Sequence, residues 1–319
     1  MRGMDESTPS RPPHRIAQAM GKVTNKRDLA ELFRDLGIRA SRNLGQNFLV
    51  DHNLLDFIVR TGDVGSDDLA IDIGCGTGLL TAHLADAAGH VIGVELDRRM
   101  YGIASRYLGD RPNVELLRTD ALAGKHRMHP TVMEAVARAW DSGRYASLRI
   151  VSNLPYSVAS LIVPNMLECA LPLACLVVMV QREVADRMVA EPGSPAYGSL
   201  SLTVQVHAKA TLVRTVPPAV FWPRPRVESA IVKLVPRAGH MAELSDYQVF
   251  VETVRAAFTH RRKKLANALV SSHRLGMCEQ IVQALAACDI APGDRAEHVA
   301  LAQYIQLANR LHQEQRCPP

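Results

Sequence analysis

A chain of 319 residues, 47% of them hydrophobic and 22% charged, is long enough for a full core and points to a soluble protein of two domains. Its net charge of +5 permits a nucleic-acid partner without requiring one. The six cysteines form no C-x-x-C pair and no apolar run exceeds strand length. That argues against a zinc site, a disulfide framework and a membrane span, and for a reducing, cytoplasmic setting.

Residues 1–25 mix Pro, Ser, Arg and acids with little apolar content, and are expected to be a disordered leader without the apolar stretch of a secretory signal. From Lys26 the apolar residues Leu29, Leu32, Phe33 and Leu36 recur on one helical face, up to a stop near Gly37. Gly and Asn mark Ser41 to Asp51 as a loop with Phe48 as its core anchor, and a second amphipathic helix follows over His52 to Arg60.

Leu69 to Ile73 is a buried strand running into Gly74-Cys75-Gly76-Thr77-Gly78, and a helix starts at about Leu79. Strand, glycine turn and helix are the nucleotide-binding half of a doubly wound sheet. Leu79 stands where a dinucleotide fingerprint wants its third glycine, which argues for a nucleoside ligand lacking pyrophosphate. The strand His90 to Val94 ends in Glu95, an acid at the usual distance from the first glycine to take ribose hydroxyls. A third strand, Val114 to Leu117, leads to Asp120, which either holds an adenine amino group or caps a helix. A helical, partly basic connection over Gly124 to Tyr145 then precedes a mostly apolar strand, Leu148 to Val151. Four successive strands thus end in Gly74, Glu95, Asp120 and Asn153, on the edge where open parallel sheets bind ligands.

Asn153-Leu154-Pro155-Tyr156 suits one task, methylation of the exocyclic amine of a flat base. That amine is conjugated with its ring and is a poor nucleophile. The Asn153 side-chain oxygen and a carbonyl beside Pro155 can each accept one of its N–H bonds and turn the lone pair towards a methyl donor. Tyr156 can stack on the ring.

Cys175 to Val180 reads as a fifth strand and Glu191 to Tyr197 as a loop. Leu200, Leu202, Val204 and Val206 alternate as a strand does, and Thr211 to Val216 with Ala230 to Val235 read as a closing β-pair. Between the last two lies a rigid proline loop, Pro217 to Arg226, with exposed aromatics and arginines: either a stiff connector or, with RNA as partner, a place where Phe221 and Trp222 are candidate stacking platforms beside Arg224 and Arg226. After a boundary near Pro236 to Ala242 the chain is helical. One helix around Phe250, Val254, Phe258, Leu265 and Leu269 is expected to carry Arg261, Arg262, Lys263 and Lys264. Helical spacing sets the two arginines near the apolar stripe, as a buried ion pair or a phosphate grip, and turns the lysines away.

With these residues in view, the sequence resembles the ribosomal RNA adenine dimethyltransferase family over about Lys26 to Leu311, on its bacterial small-subunit side. The carriers are Leu44-Gly45-Gln46-Asn47-Phe48-Leu49, Asn153 to Tyr156, Gln181-Arg182-Glu183-Val184, Pro192-Gly193-Ser194 with Tyr197-Gly198, Phe221 to Val227, Phe258 to Lys263, and Arg295-Ala296-Glu297. The resemblance implies an α/β fold of the class I S-adenosylmethionine-dependent kind, a Rossmann-like, mostly parallel seven-stranded sheet with a small C-terminal all-helical domain. The division expected is a leader over 1–25, a cofactor-binding catalytic domain over 26–237 and a helical RNA-binding domain over 238–319. The activity implied is dimethylation at N6 of two adjacent adenosines in the 3′-terminal hairpin of small-subunit rRNA during ribosome biogenesis, by a monomer that uses no metal. Carried over by position, S-adenosylmethionine contacts fall on Asn47, Leu49, Gly74, Glu95, Asp120 and Asn153, and the target adenine sits against Asn153, Leu154, Pro155 and Tyr156.

Three stretches depart from the family pattern. Asp72 to Gly78 has the general methyltransferase form of the glycine turn, the Asp120 to Asn153 connection is longer than usual, and Ser157-Val158-Ala159-Ser160 differs at the rim of the target pocket. Two other functions compete. Leu154 and the Arg261 to Asn267 segment disfavour the macrolide-resistance type acting on large-subunit rRNA. Intact Asn47, Glu95, Asp120, Asn153 and Tyr156 weigh against an inactive relative serving as an assembly checkpoint or a transcription factor.

Overall fold

The computed structural model describes residues 13–41, 44–169, 171–260, 263–272 and 275–316. The described residues divide into two compact units, one within 1–165, 170–182 and 213–233, the other within 166–169, 183–212 and 234–319. Residues 183–212 therefore group with the C-terminal helices rather than with the rest of the 26–237 span.

In the first unit, helix α1 (Pro13–Met20) precedes α2 (Lys26–Asp35), and this corrects the expectation of a disordered leader for its described part, residues 13–25. Ile16, Met20 and Val23 are buried in the main apolar cluster, three residues being enough to order a short segment that has a surface to fill. Asn25 accepts from the backbone N–H groups of Arg27 and Asp28, and Asp28 reaches back to the N–H of Asn25, a complete capping box. The remainder of the expected leader, residues 1–12, lies outside the described residues.

A two-residue strand, β1 (Phe48–Leu49), leads into α3 (His52–Thr61), capped by Asp51. The alternation then becomes regular: β2 (Asp68–Ile73), α4 (Leu79–Ala87), β3 (His90–Val94), α5 (Arg98–Leu108) and β4 (Val114–Leu117). Helix α1 packs on α5. His52 holds the α1–α2 segment in place, with Nε2 against the Val23 carbonyl at 2.8 Å and Nδ1 against His83 Nε2 at 2.9 Å. His83 Nδ1 in turn meets Asp56 at 2.6 Å.

The connection expected to be helical begins instead as a hairpin, β5 (Leu122–Gly124) and β6 (Arg127–Met128), and only then becomes α6 (Pro130–Trp140). Gly124 at φ +156° and the buried Met128 make the turn and its anchor. Then come β7 (Ser147–Asn153), α7 (Ala159–Glu168), β8 (Leu173–Gln181) and α8 (Arg182–Val189). The principal sheet has seven strands, and five of them, in the spatial order β4-β3-β2-β7-β8, pair in parallel. Apolar residues on both faces of β2 and β8 explain why these segments read as continuous rather than alternating hydrophobic runs.

Residues Ser199–His207 form a helix, α9, where alternation suggested a strand. Leu200, Leu202, Val204 and Val206 are all buried, so this helix has no polar face to impose a helical period. Its polar side chains turn inwards: Ser201 donates to the Arg187 carbonyl, and Gln205 donates to those of Met188 and Ala190. Next are β9 (Ala208–Val216), β10 (Phe221–Trp222) and β11 (Ser229–Pro236), of which β11 and β9 complete the sheet beyond β8.

The second unit's core is helical. It is built from α9, a short α10 (Gly239–Ala242), α11 (Tyr247–Thr259), α12 (Leu265–Val270), α13 (Cys278–Ala287) and α14 (Leu301–Arg316). Tyr304 and Tyr197 are fully buried, and their hydroxyls donate to the carbonyls of Ala296 and Val299. The single helix expected to run from Phe250 to Leu269 is two helices, because α11 stops at Thr259 and α12 starts at Leu265.

The buried Met20, 1% exposed, provides a test of the ordered N-terminal helix. Met20→Ala should destabilise the protein by about 2–5 kcal/mol in urea unfolding followed by circular dichroism. A variant as stable as the parent would show that α1 contributes nothing to the core.

Candidate active site

Parallel pairing brings Ile73, Val94 and Leu117 into one row, so β2, β3 and β4 end together at the same edge of the sheet. Just beyond Ile73, Gly74, Gly76 and Gly78 all have positive φ, at +73°, +60° and +87°. The bare backbone has a second function here. A Cβ on Gly74 would lie 2.7 Å from Pro155 Cδ, and one on Gly76 would lie 3.1 Å from the Phe48 ring. The turn therefore admits close neighbours from two distant parts of the chain. Gly74 and Cys75 both donate their N–H to the Val94 carbonyl, tying the turn to the end of β3.

Glu95 follows directly. One carboxylate oxygen accepts from Gly76 N at 2.8 Å and the other from Asp97 N at 2.7 Å. Burial raises its pKa above the usual carboxylate range, although these backbone donors oppose the shift. Asp97 itself is the N-cap of α5; burial works against its charge, but bonds from Arg99 and Gln46 outweigh it and hold the carboxyl below its ordinary value. Asp72, one residue from the end of β2, is fully buried and accepts from Thr81 Oγ1 at 2.7 Å. Burial pushes its pKa up to about 7, with the Thr81 bond opposing and the nearby Glu95 charge adding to the rise.

The loop before β1 closes the other side. Gln46 accepts from the Ser41 N–H and donates to Asp97 Oδ2, while Asn47 donates to the Gly45 carbonyl. Asn153, the last residue of β7, donates from Nδ2 to the Asn47 carbonyl at 3.2 Å. That bond orients the planar amide and leaves Oδ1 turned away from Asn47. Leu154 N–H donates to Met179 O, and the Pro155 carbonyl already accepts from Val158 and Ala159 at the start of α7. Among the described residues no donor reaches the Leu154 carbonyl. Tyr156 is half-buried, its hydroxyl 2.5 Å from the buried Ser229 Oγ. Burial raises the Tyr156 pKa against the pull of that bond.

These parts line one cleft, which encloses about 1120 Å³ of empty space with its open mouth included. Asn47, Leu49, Gly74, Glu95, Asp120, Asn153, Leu154, Pro155 and Tyr156 all line it, so every residue assigned to cofactor or target meets in one place. Asp120 is exposed and accepts from the Leu122 N–H at 3.0 Å; it leads into the β5–β6 hairpin, which removes the helix-cap reading. Asp72, Gln46 and Leu96 also line the cleft, and the sequence pattern alone did not single them out. Leu96 is 52% exposed, unusual for a leucine, and an apolar side chain left open beside Glu95 suits the face of a base. The signal for it was its place next to Glu95, and for Asp72 the acid two residues ahead of the glycine turn.

The expected RNA contacts fare differently. Phe221 is 1% exposed and belongs to the core cluster, so it is no stacking platform. Its strand β10 pairs with β1 and buries it. Trp222 is half-buried against Phe33, ring centroids 4.9 Å apart and nearly perpendicular, while Arg224 and Arg226 are exposed. Lys263 and Lys264 are exposed in the link between α11 and α12, not on a helix face. Arg261 and Arg262 lie outside the described residues. No cluster of His, Cys, Asp and Glu suited to a metal occurs among the described residues, and none of their helices is long and apolar enough to cross a membrane.

A mostly parallel sheet whose strand ends gather a bare glycine turn, a buried carboxylate and an open apolar side chain defines a class I S-adenosylmethionine-dependent methyltransferase. The profile of the family described as Ribosomal RNA adenine dimethylase matches residues 37–313, and the chain belongs to that family. It is similar to Ribosomal RNA small subunit methyltransferase A of Geobacillus thermodenitrificans, 39% identical over 283 residues, which cover 88% of this chain and 94% of that one. The protein of the same name from Latilactobacillus sakei is 38% identical over 299 residues, covering 92% and 97%. Among solved structures, a dimethyladenosine transferase from Plasmodium falciparum shares the fold with a TM-score of 0.67 at 23% identity, over 84% of this chain and 98% of that one. The 23S rRNA methyltransferase ErmE gives 0.61 at 25% identity, over 84% and 100%.

The buried Asp72 makes stability depend on pH. Its folded pKa of about 7 stands above the unfolded value near 3.8, so the unfolded chain gives up its proton first as pH rises. Stability is therefore lost between about pH 4 and 7, then levels off. Asp72→Asn keeps the shape and an acceptor for Thr81, and should flatten that decline in urea titrations at a series of pH values. An unchanged slope would mean that Asp72 is ionised throughout this range in the folded protein.

Proposed function

We propose that this cleft dimethylates N6 of two adjacent adenosines in the 3′-terminal hairpin of small-subunit rRNA during ribosome assembly in the cytoplasm. The observation that carries the reading is the Asn153–Asn47 bond, which orients the Asn153 amide beside the open Leu154 carbonyl in a cleft floored by Pro155 and flanked by Tyr156. The small-subunit substrate rests on the relatives named for it, which match over most of their length.

The residues present fit S-adenosylmethionine. Bare backbone at Gly74 and Gly76 leaves room beside Pro155 and Phe48, and Glu95 is held by two backbone donors with lone pairs to spare for ribose hydroxyls. Leu96 would cover the adenine, and Asp120 would take its amino group. When bound, this cofactor supplies a methyl group as an electrophile. Everything else is orientation by the chain. Asn153 Oδ1 and the Leu154 carbonyl each accept an N–H of the target amine, which points its lone pair at the donor. The amine attacks as a neutral group and its proton grows acidic as the new bond forms, so solvent can remove it and no general base is required. Tyr156 offers its ring face to the base, with its hydroxyl already engaged by Ser229. Arg224, Arg226, Lys263 and Lys264 serve as phosphate contacts, the lysines within the C-terminal helical part, residues 238–319.

Charge-assisted bonds contribute about 1.5–3 kcal/mol each. Glu95→Ala should therefore weaken S-adenosylmethionine binding at least tenfold in calorimetry while the variant stays folded; unchanged affinity would remove Glu95 from the cofactor site.

Single-turnover methylation of small subunits at saturating cofactor tests the chemistry. Asn153→Ala should slow the reaction by about a hundredfold or more, since a poorly aimed amine loses most of the benefit of being bound. Tyr156→Phe should keep most activity while losing about 1 kcal/mol of stability with the Ser229 bond, whereas Tyr156→Ala should be nearly inactive. Full activity in Asn153→Ala would overturn the site, and an inactive but folded Tyr156→Phe would transfer the role from ring to hydroxyl.

A further inference from the structure

Beside the cleft lies a second cavity, enclosing about 1850 Å³ of empty space with its open mouth included. Gly45, Gln46 and Asn47 line both, so the two are separated by the thickness of one loop. Arg34, Arg39, Arg224 and Arg226 line the second cavity, and among the described residues no acidic side chain does. None of these arginines forms an ion pair with a described residue. Four arginines around one cavity, with no acidic lining residue among the described ones, make a place that favours an anion. The same cavity is lined by Trp222, braced on Phe33 and fixed by backbone pairing with Phe48. Phe48 in turn packs on the glycine turn of the cleft. One strand pair, β1–β10, thus joins the floor of the first cavity to the aromatic wall of the second.

Methylating an adenine at N6 requires its base to leave the stack, which uncovers the face of the neighbouring base. An uncovered base on a charged backbone is what an aromatic ring among guanidinium groups recognises in single-stranded RNA. We propose that the second cavity seats the nucleotide adjacent to the target adenosine, its base against Trp222 and its phosphates among Arg34, Arg39, Arg224 and Arg226. This rests on the reading of the cleft as an rRNA adenine site. In a substrate with two adjacent targets, one adenosine waits in the second cavity while the other occupies the first.

The chain has only two tryptophans, so Trp140→Phe makes Trp222 the sole indole in the full-length protein. A short unpaired RNA holding two adjacent adenosines should quench its emission at least twofold and saturably, while inorganic triphosphate leaves it unchanged. In the Arg39→Gln, Arg224→Gln double variant, KM for small subunits should rise at least tenfold with kcat within twofold. The slope of log affinity against log salt should fall by about 0.7 for each phosphate that the variant no longer neutralises. RNA that binds by anisotropy with Trp222 emission unchanged, together with wild-type KM and salt slope in the double variant, would overturn the second seat alone. If the parent chain transferred no methyl to small subunits, the reading of the cleft would fail with it.

Discussion

Everything at the ligand edge depends on one close approach, that of the Pro155 ring to the bare backbone of Gly74. The gap that a single methyl group would occupy, 2.7 Å from Pro155 Cδ, sets how near the end of β7 can come to the end of β2. Phe48 makes the same kind of approach to Gly76, and Leu108 to Gly78, where an added Cβ would lie 2.8 Å from its Cδ1. Each glycine also needs its positive φ, a conformation that costs side-chain-bearing residues about 1 kcal/mol or more. Steric room and backbone freedom are thus required at the same three positions, and together they draw three distant segments around a single turn.

Electrostatics in the cleft follow from burial. Asp72 and Glu95 sit close enough for the charge of Glu95 to reach Asp72, and both are pushed towards the neutral form, mainly by loss of water. Asp97, two residues from Glu95, goes the opposite way because Arg99 and Gln46 reach it. Gln46 connects these charges to the loop that carries Asn47, so the orientation of Asn153 depends on the same network as the Asp97 carboxylate. Arginine stands apart, being gathered in the neighbouring cavity where phosphates rather than the donor would be held.

Much of this was legible along the chain. The glycine turn, Glu95 and Asp120 each follow a strand that is apolar over most of its length, Asn153 ends another, and parallel strands have to end at a common edge. Errors arose where burial was complete or where an environment came from afar. The segment Ser199–His207 alternates like a strand and is a helix, because a helix buried on all sides carries no polar period to distinguish it. Residues 13–25 look like a leader by composition, but their few apolar side chains find α5 and the core cluster.

Local sequence by itself determined the strand–helix alternation from β2 to β4, the nucleoside-type turn and the polar residues at the strand ends, because these depend on period, backbone conformation and short-range chemistry. Only the tertiary structure decided which aromatic faces solvent and which is core: Phe221 and Trp222 are neighbours in one proline-rich loop, yet pairing of β10 with β1 buries the first and leaves the second on a cavity wall. It alone also set the Asn153 amide against the Asn47 carbonyl, 106 positions apart, and ended α11 at Thr259 and began α12 at Leu265 where one helix was expected. Such contacts are made by surfaces that meet only after the sheet has formed, and no pattern of neighbouring residues encodes them.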